Sequence, residues 1–348
     1  MASTHALTLA GVADDHWLRS DLWLPNGWAT VVFVMLSGYG VGYVFSVREP
    51  VGSRDARLYR RGWQILAVMF FSNLFFVGLR SVLDGDTADF ATLAWWWGFI
   101  DLETPWSLSG VLLPTALVML LGPLLIRAVA ASAWRALAVL FTLKVVVSMT
   151  AVALQVSLSA TAWWARLLFL EGLGGFPVLP FLLNGCAGAW LGMQWHRSQT
   201  VWLRTMAIFL VLQLASYAST FANPSPAWSL WREIFGATGK FAWVFLVASA
   251  LAKPRYRGFA KPLTLLGHFG LGSFVWHRVV LQALSMALAG TMAWSDFTPD
   301  AGMRYAVLFA GTLLLTWAGC DIVMARRMRD AIRAEKPAPT SAETYITR

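Results

Sequence analysis

One run gathers the side chains best equipped for chemistry: Gly267-His268-Phe269-Gly270-Leu271-Gly272-Ser273-Phe274-Val275-Trp276-His277-Arg278. An imidazole beside a hydroxyl and a guanidinium suits acid–base work on a hydroxyl or anionic substrate. On a helix Ser273 falls one turn before His277, while Arg278, Gln282 and Ser285 share an adjacent face. Ionisable groups at membrane depth are costly, so such a stripe must face protein or a watery cavity. Two readings stay open: a substrate or phosphate contact with His277 as acid or base, or an interhelix hydrogen-bonded pair. Arg278 favours the first, because an unpaired cation is harder to hide.

Other groups are weaker candidates. Lys144 stands about a third of the way into an apolar run and reads as a snorkelling lysine. Asp321 lies close to Arg326 and reads as a local pair. Glu171, in Phe169-Leu170-Glu171-Gly172, is a lone carboxylate in apolar surroundings, where a raised pKa would make it a general acid. The run Arg54-Asp55-Ala56-Arg57-Leu58-Tyr59-Arg60-Arg61 presents guanidinium forks suited to the phosphates of an acyl-CoA or nucleotide. It reads equally as a topology-setting cluster that touches lipid headgroups. Cys186 and Cys320 both fall in apolar runs and suggest helix packing, with no disulfide framework and no metal cluster.

The elements that must position these groups are membrane helices. The 348 residues are 58% hydrophobic and 13% charged, with a mean hydropathy of +0.60, where a soluble domain carries about a quarter charged residues. The apolar residues come in runs of about 20, the length that crosses a hydrocarbon core. The spans predicted are 27–47, 62–79, 106–126, 136–158, 176–195, 201–221, 238–252, 264–289 and 305–324. That is an all-α polytopic bundle of nine transmembrane helices. Residues 1–26 carry Asp14, Asp15, His16, Arg19 and Asp21 and no apolar run fit for a secretory signal.

Charge placement orients the bundle. Alternate connections and the tail hold 19 Lys and Arg on one side and six on the other, while 12 of the 18 acidic residues lean the opposite way. The positive-inside rule then puts the N-terminus outside and the C-terminus inside. The pI near 10.0 is a topology signature and not a nucleic-acid footprint. Three regions follow: an outer segment 1–26, a membrane domain 27–325, and a basic cytoplasmic tail 326–348 whose first part extends the last helix. The Trp-rich stretch 88–105 and the stretch 162–175 are too short to span and read as interfacial or re-entrant helices. Ser37-Gly38-Tyr39-Gly40-Val41-Gly42 and Gly185-Cys186-Ala187-Gly188 permit close helix approach.

Several stretches together resemble a known superfamily. Phe33-Val34-Met35-Leu36-Ser37-Gly38-Tyr39 is similar to the F-x-x-L-S-G-[FY] signature of the type-3 membrane acyltransferases and their glucan succinyl-transfer and heparan-α-glucosaminide acetyl-transfer relatives. Leu58-Tyr59-Arg60-Arg61 resembles the basic pair opening the next helix, and Trp106-Ser107-Leu108-Ser109 the W-x-L-S element. Phe176-Pro177-Val178-Leu179-Pro180-Phe181, with Gly188 and Gly192, resembles the F-P-x-x-P-[FW] helix start. Leu266-Gly267 with Ser273-Phe274-Val275-Trp276-His277 resembles the late L-G-x-x-S-x-x-[IV]-[YW]-x-H helix. The matches run in family order. Two features depart from it: residues 1–26 show no D-x-x-R-G helix with its histidine, and Gly110, Val111 and Leu112 stand where many members carry a glutamate.

The resemblance implies transfer of an acyl group from cytoplasmic acyl-CoA to a glycan or lipid-linked sugar of the cell envelope, a polysaccharide modification. The lack of a secretory signal, together with the cytoplasmic basic loops, fits a bacterial inner membrane, with lipid as a partner and no metal expected. Arg57, Arg60 and Arg61 would meet the CoA phosphates; Ser37, Tyr39, Trp106, Ser109, Glu171, Ser273, Arg278 and Gln282 would line the substrate path, with His277 catalytic. The rival expectations are a transporter or flippase for a lipid-linked sugar, using the same Arg278 and Gln282 stripe, and a noncatalytic partner that keeps the fold. Oligomeric state is not legible.

Overall fold

The structure, a computed structural model, describes residues 2–19, 29–45, 51–84, 92–100, 109–153, 178–220, 226–251, 253–256, 258, 265–266, 269–289 and 300–335. These residues are helical with no strand among them, which makes the chain all-α. The principal helices are α1 (Ala2–Leu9), α2 (Ala29–Gly40), α3 (Val51–Asp84), α4 (Leu93–Ile100), α5 (Ser109–Leu120) and α6 (Gly122–Ala153). They are followed by α7 (Val178–Arg197), α8 (Gln199–Thr220), α9 (Pro226–Leu251), α10 (Gly270–Ala289) and α11 (Ala301–Glu335). A π-helical turn, Val41–Phe45, continues α2. Contacts divide the chain into two compact units, 28–246 and 1–27 with 247–348.

Among the described residues four helices are long and apolar enough to cross a membrane: Gly52–Leu79, Gly122–Val146, Leu271–Leu288 and Ala301–Asp330. Four shorter apolar helices, Thr30–Val44, Val111–Leu120, Gln199–Ala215 and Phe235–Ala248, accompany them. The faces are inverted relative to a water-soluble bundle. Trp63, Phe71, Phe75, Trp134, Leu214 and Leu314 point outward, while Asn73, Lys144, Gln213, Lys240, Thr312 and Thr316 are buried. Lipid solvates an apolar exterior, and polar groups must find partners inside. The arrangement is consistent with an integral membrane protein.

In the larger unit α2 is the central element. Val31 and Val34 join one cluster with Val118 of α5, Leu125 and Ile126 of α6 and Phe181 of α7. Val32 and Met35 join another with Trp202 and Met206 of α8 and Phe241 of α9. The α2–α7 contact needs backbone-to-backbone approach. A methyl group added at Gly38 would overlap the Gly185 carbonyl, and one at Gly188 the Met35 carbonyl. The small-residue stretches read from the sequence thus meet each other.

Two local breaks shape this unit. The connection expected over 127–135 is helical on both sides, and the chain breaks at Ser132 alone, where φ is −164° and ψ 98°. Ser132 Oγ accepts from the Arg135 amide at 3.4 Å, as an N-cap does. At the other place, α9 is 26 residues long and starts well before the predicted span 238–252, so Lys240, counted with the outer side at the edge of that span, lies inside the helix.

The smaller unit packs α1 against α10 and α11. Helix α1 ends in a Schellman motif: the Gly11 amide donates to the Thr8 carbonyl at 3.1 Å and the Val12 amide to the Leu7 carbonyl at 3.2 Å. Gly11 has the left-handed φ of 66° this geometry requires. Leu7 and Val12 then pack together with Leu18, Leu281, Tyr305 and Leu308. The long α11 runs unbroken into the expected tail as far as Glu335. The eight-residue α4 lies in the Trp-rich stretch and leaves Leu93 and Trp97 exposed.

Candidate functional site

In the smaller unit, His277 is 6% exposed. Its Nδ1 lies 3.3 Å from the Ser273 carbonyl one turn earlier. A carbonyl only accepts, so that contact places the ring proton on Nδ1 and leaves Nε2 as an acceptor. Nε2 is buried without a hydrogen-bond partner among the described residues. Leaving such an atom unmatched costs about 1–3 kcal/mol, so Nε2 is placed to accept from a donor brought to it.

Helix α1 supplies the opposite wall. The His5 ring lies nearly parallel to that of His277, with centroids 6.2 Å apart and planes at 21°. Ser3 Oγ and Tyr305 Oη, 2.9 Å apart, tie α1 to α11 beside it. Phe274 closes another side with its ring edge, 5.4 Å from His277. Burial, then the neighbouring charge of Arg278, then His277 push His5 down to about 3. The surroundings of His277 thus present a neutral imidazole and a guanidinium at once. Ser273 Oγ donates to the Leu266 carbonyl at 3.0 Å, so this hydroxyl holds the helix start and is no free nucleophile. Gln282 lies one turn beyond Arg278 and is half-buried.

The larger unit carries the remaining predicted residues. Ser37 Oγ donates to the Phe33 carbonyl at 2.9 Å, a backbone contact within its own helix. Tyr39 belongs to an aromatic cluster, with Phe245 at 4.7 Å and Tyr43 at 5.7 Å between centroids. Ser109 is the first residue of α5. Trp106 and Glu171 lie outside the described residues. Arg57, Arg60 and Arg61 are exposed near the start of α3. Arg54 differs from them: only 8% of its side chain is exposed, and its Nε meets Asp55 Oδ1 at 2.9 Å. The other Asp55 oxygen accepts from Arg127 Nη2 at 2.6 Å, so one carboxylate clamps α3 to α6 and takes Arg54 out of any phosphate role.

Thus His277, Ser273 and Arg278 come together in one unit, and Ser37, Tyr39 and the arginines fall in the other. The sequence reading missed His5, Tyr43, His196 and Lys240. His5 escaped because α1 is far too short for a span, although Leu7-Thr8-Leu9-Ala10-Gly11-Val12 carries the signal of a glycine-capped helix end. Lys240 is 5% exposed and escaped because the helix around it starts well before the apolar run. Among the described residues no cluster of His, Cys, Asp and Glu could hold a metal ion. No protein family, curated protein or solved structure matches this chain.

Proposed function

We propose that the protein is a membrane acyltransferase, moving an acyl group from acyl-CoA to a hydroxyl of a cell-envelope glycan or lipid-linked sugar, with His277 as the proton acceptor. The observation that carries this reading is the buried, unpartnered Nε2 of His277 beside His5 and Arg278. The sequence resemblance supplies the donor and the direction of transfer, and the reading includes nine transmembrane helices with the basic ends inside the bacterial inner membrane.

The chemistry follows from those groups. The acceptor oxygen attacks the thioester carbonyl while its proton passes to His277 Nε2. The carbonyl oxygen becomes an oxyanion, which the Arg278 charge stabilises. The attack has formed the new C–O bond; collapse of the intermediate restores the carbonyl double bond and breaks the C–S bond. The CoA thiolate leaves and takes the proton back from His277. The Nδ1 contact with the Ser273 carbonyl holds the tautomer that this sequence needs.

The test uses the full-length protein in nanodiscs, with acetyl-CoA and an isolated envelope glycan fraction, following thiol release and label on the glycan. His277→Asn should lower turnover by about 10²–10⁴-fold, the usual worth of a positioned base, with acetyl-CoA affinity unchanged. Equal turnover by wild type and His277→Asn would end the assignment of the base. Movement of a lipid-linked sugar between leaflets, with no acylated product, would replace the enzyme by a flippase.

A further inference from the structure

At one end of the larger unit, three rings form a nearly parallel ladder. Tyr39 and Tyr43 stack with planes at 10° and centroids 5.7 Å apart. Tyr43 and His196 stack with planes at 18° and centroids 4.6 Å apart. The inner end of the ladder is anchored, because Tyr39 packs on Phe241 and Phe245. The outer end is open: His196 is an exposed residue in the last turn of α7, with Tyr43 covering one ring face.

The last ring is held in place by its backbone surroundings. Tyr43 sits in the π-helical turn that continues α2. Its carbonyl accepts from His196 Nε2 at 3.0 Å. The glycine contacts between α2 and α7 bring the two helix ends close enough for that bond; a methyl group at Gly192 would overlap the Tyr39 carbonyl. An exposed imidazole fixed by a backbone bond and backed by a tyrosine is a ready stacking platform.

The same end of the unit is basic. A methyl group at Gly122 would touch both Leu58 and Val41, which places the start of α3 at the level of the π-helical turn. Exposed Arg57, Arg60 and Arg61 follow on α3, Arg197 adjoins His196, and Arg204 is exposed on α8. A planar aromatic platform at an end of the unit that also carries exposed guanidinium groups matches a purine nucleotide: stacking for the base, forks for the phosphates.

We propose that Tyr43 and His196 form the subsite for the adenine ring of acyl-CoA, with His196 stacking directly on the base. This rests on the acyltransferase reading and deepens it, separating a base subsite on α2 and α7 from the phosphate contacts of α3. The pantetheine arm and acyl group need not touch His196 at all.

The test is calorimetric binding of CoA, adenosine 3′,5′-bisphosphate and pantetheine to the full-length protein in nanodiscs. His196→Ala should weaken CoA and the bisphosphate about tenfold, in line with the loss of one base–aromatic stack. His196→Phe should restore most of that affinity, and pantetheine should bind all three proteins alike. Equal CoA affinity of wild type and His196→Ala, or failure of His196→Phe to rescue, overturns the adenine subsite while leaving the donor reading intact. A wild-type protein that binds none of the three probes overturns both.

Discussion

At the scale of the residue, His5 and His277 show how burial turns common side chains into a site. His5 has a folded-state pKa pushed from 6.5 to about 3, with burial the largest cause. The sign of the resulting pH dependence follows directly. A depressed histidine binds fewer protons when folded, so its contribution is complete above pH 6.5 and is lost as pH falls towards about 3. Thermal unfolding followed from pH 7 to 4 should therefore show a falling midpoint. His5→Asn, which cannot titrate, should flatten that slope. An unchanged slope would mean that other groups govern acid unfolding. The histidine of α10 was legible in the sequence because a polar stripe interrupted an apolar run. Its partner was not, because nothing in a sequence says that a distant eight-residue helix will lie against it.

At the scale of the element, the α2–α7 pair is set by what glycine lacks. Gly38, Gly42, Gly188 and Gly192 allow carbonyls of the facing segment to sit where a side chain would otherwise stand. Close approach of this kind is how helices associate when lipid removes the hydrophobic drive between them. Gly188→Ala should cost about 1–3 kcal/mol, the usual penalty of overpacking, measured as a lowered midpoint of thermal aggregation in detergent. Gly52→Ala, at a position with open space around it, should leave the midpoint near wild type. The small-residue runs were readable in advance as close-packing stretches. Which run met which was not, since both compositions fit several partners. Ser132 tells a similar story: the connection was foreseen by its place between two apolar runs, but its length of a single non-helical residue depends on the local cap.

At the scale of the whole molecule, the sequence shows most plainly in the inverted distribution of polarity. Large apolar side chains such as Trp63, Phe71 and Trp134 face outward, while Lys144, Lys240 and Gln213 turn inward. The orientation is a separate matter, argued from 19 basic residues against six. Single cysteines introduced at Arg57, Lys253 and Arg326 should react with an impermeant maleimide only after the cell membrane is opened. Those at Asp14 and Asp300 should react in intact cells. Labelling of the first group in intact cells would reverse the topology and separate Arg57, Arg60 and Arg61 from the cytoplasmic donor proposed above. The native thiols, Cys186 and Cys320, are both buried and should leave a low background.

The glycine-lined seam of α2 and α7 also limits how this molecule can work over a cycle. Helices whose backbones interlock at successive turns cannot slide past one another without lifting each carbonyl out of the notch it occupies. The two therefore travel as a single strut, together with the aromatic ladder at their end. Any rearrangement within the larger unit has to be taken up at its looser seams, with this pair as the fixed post against which they hinge.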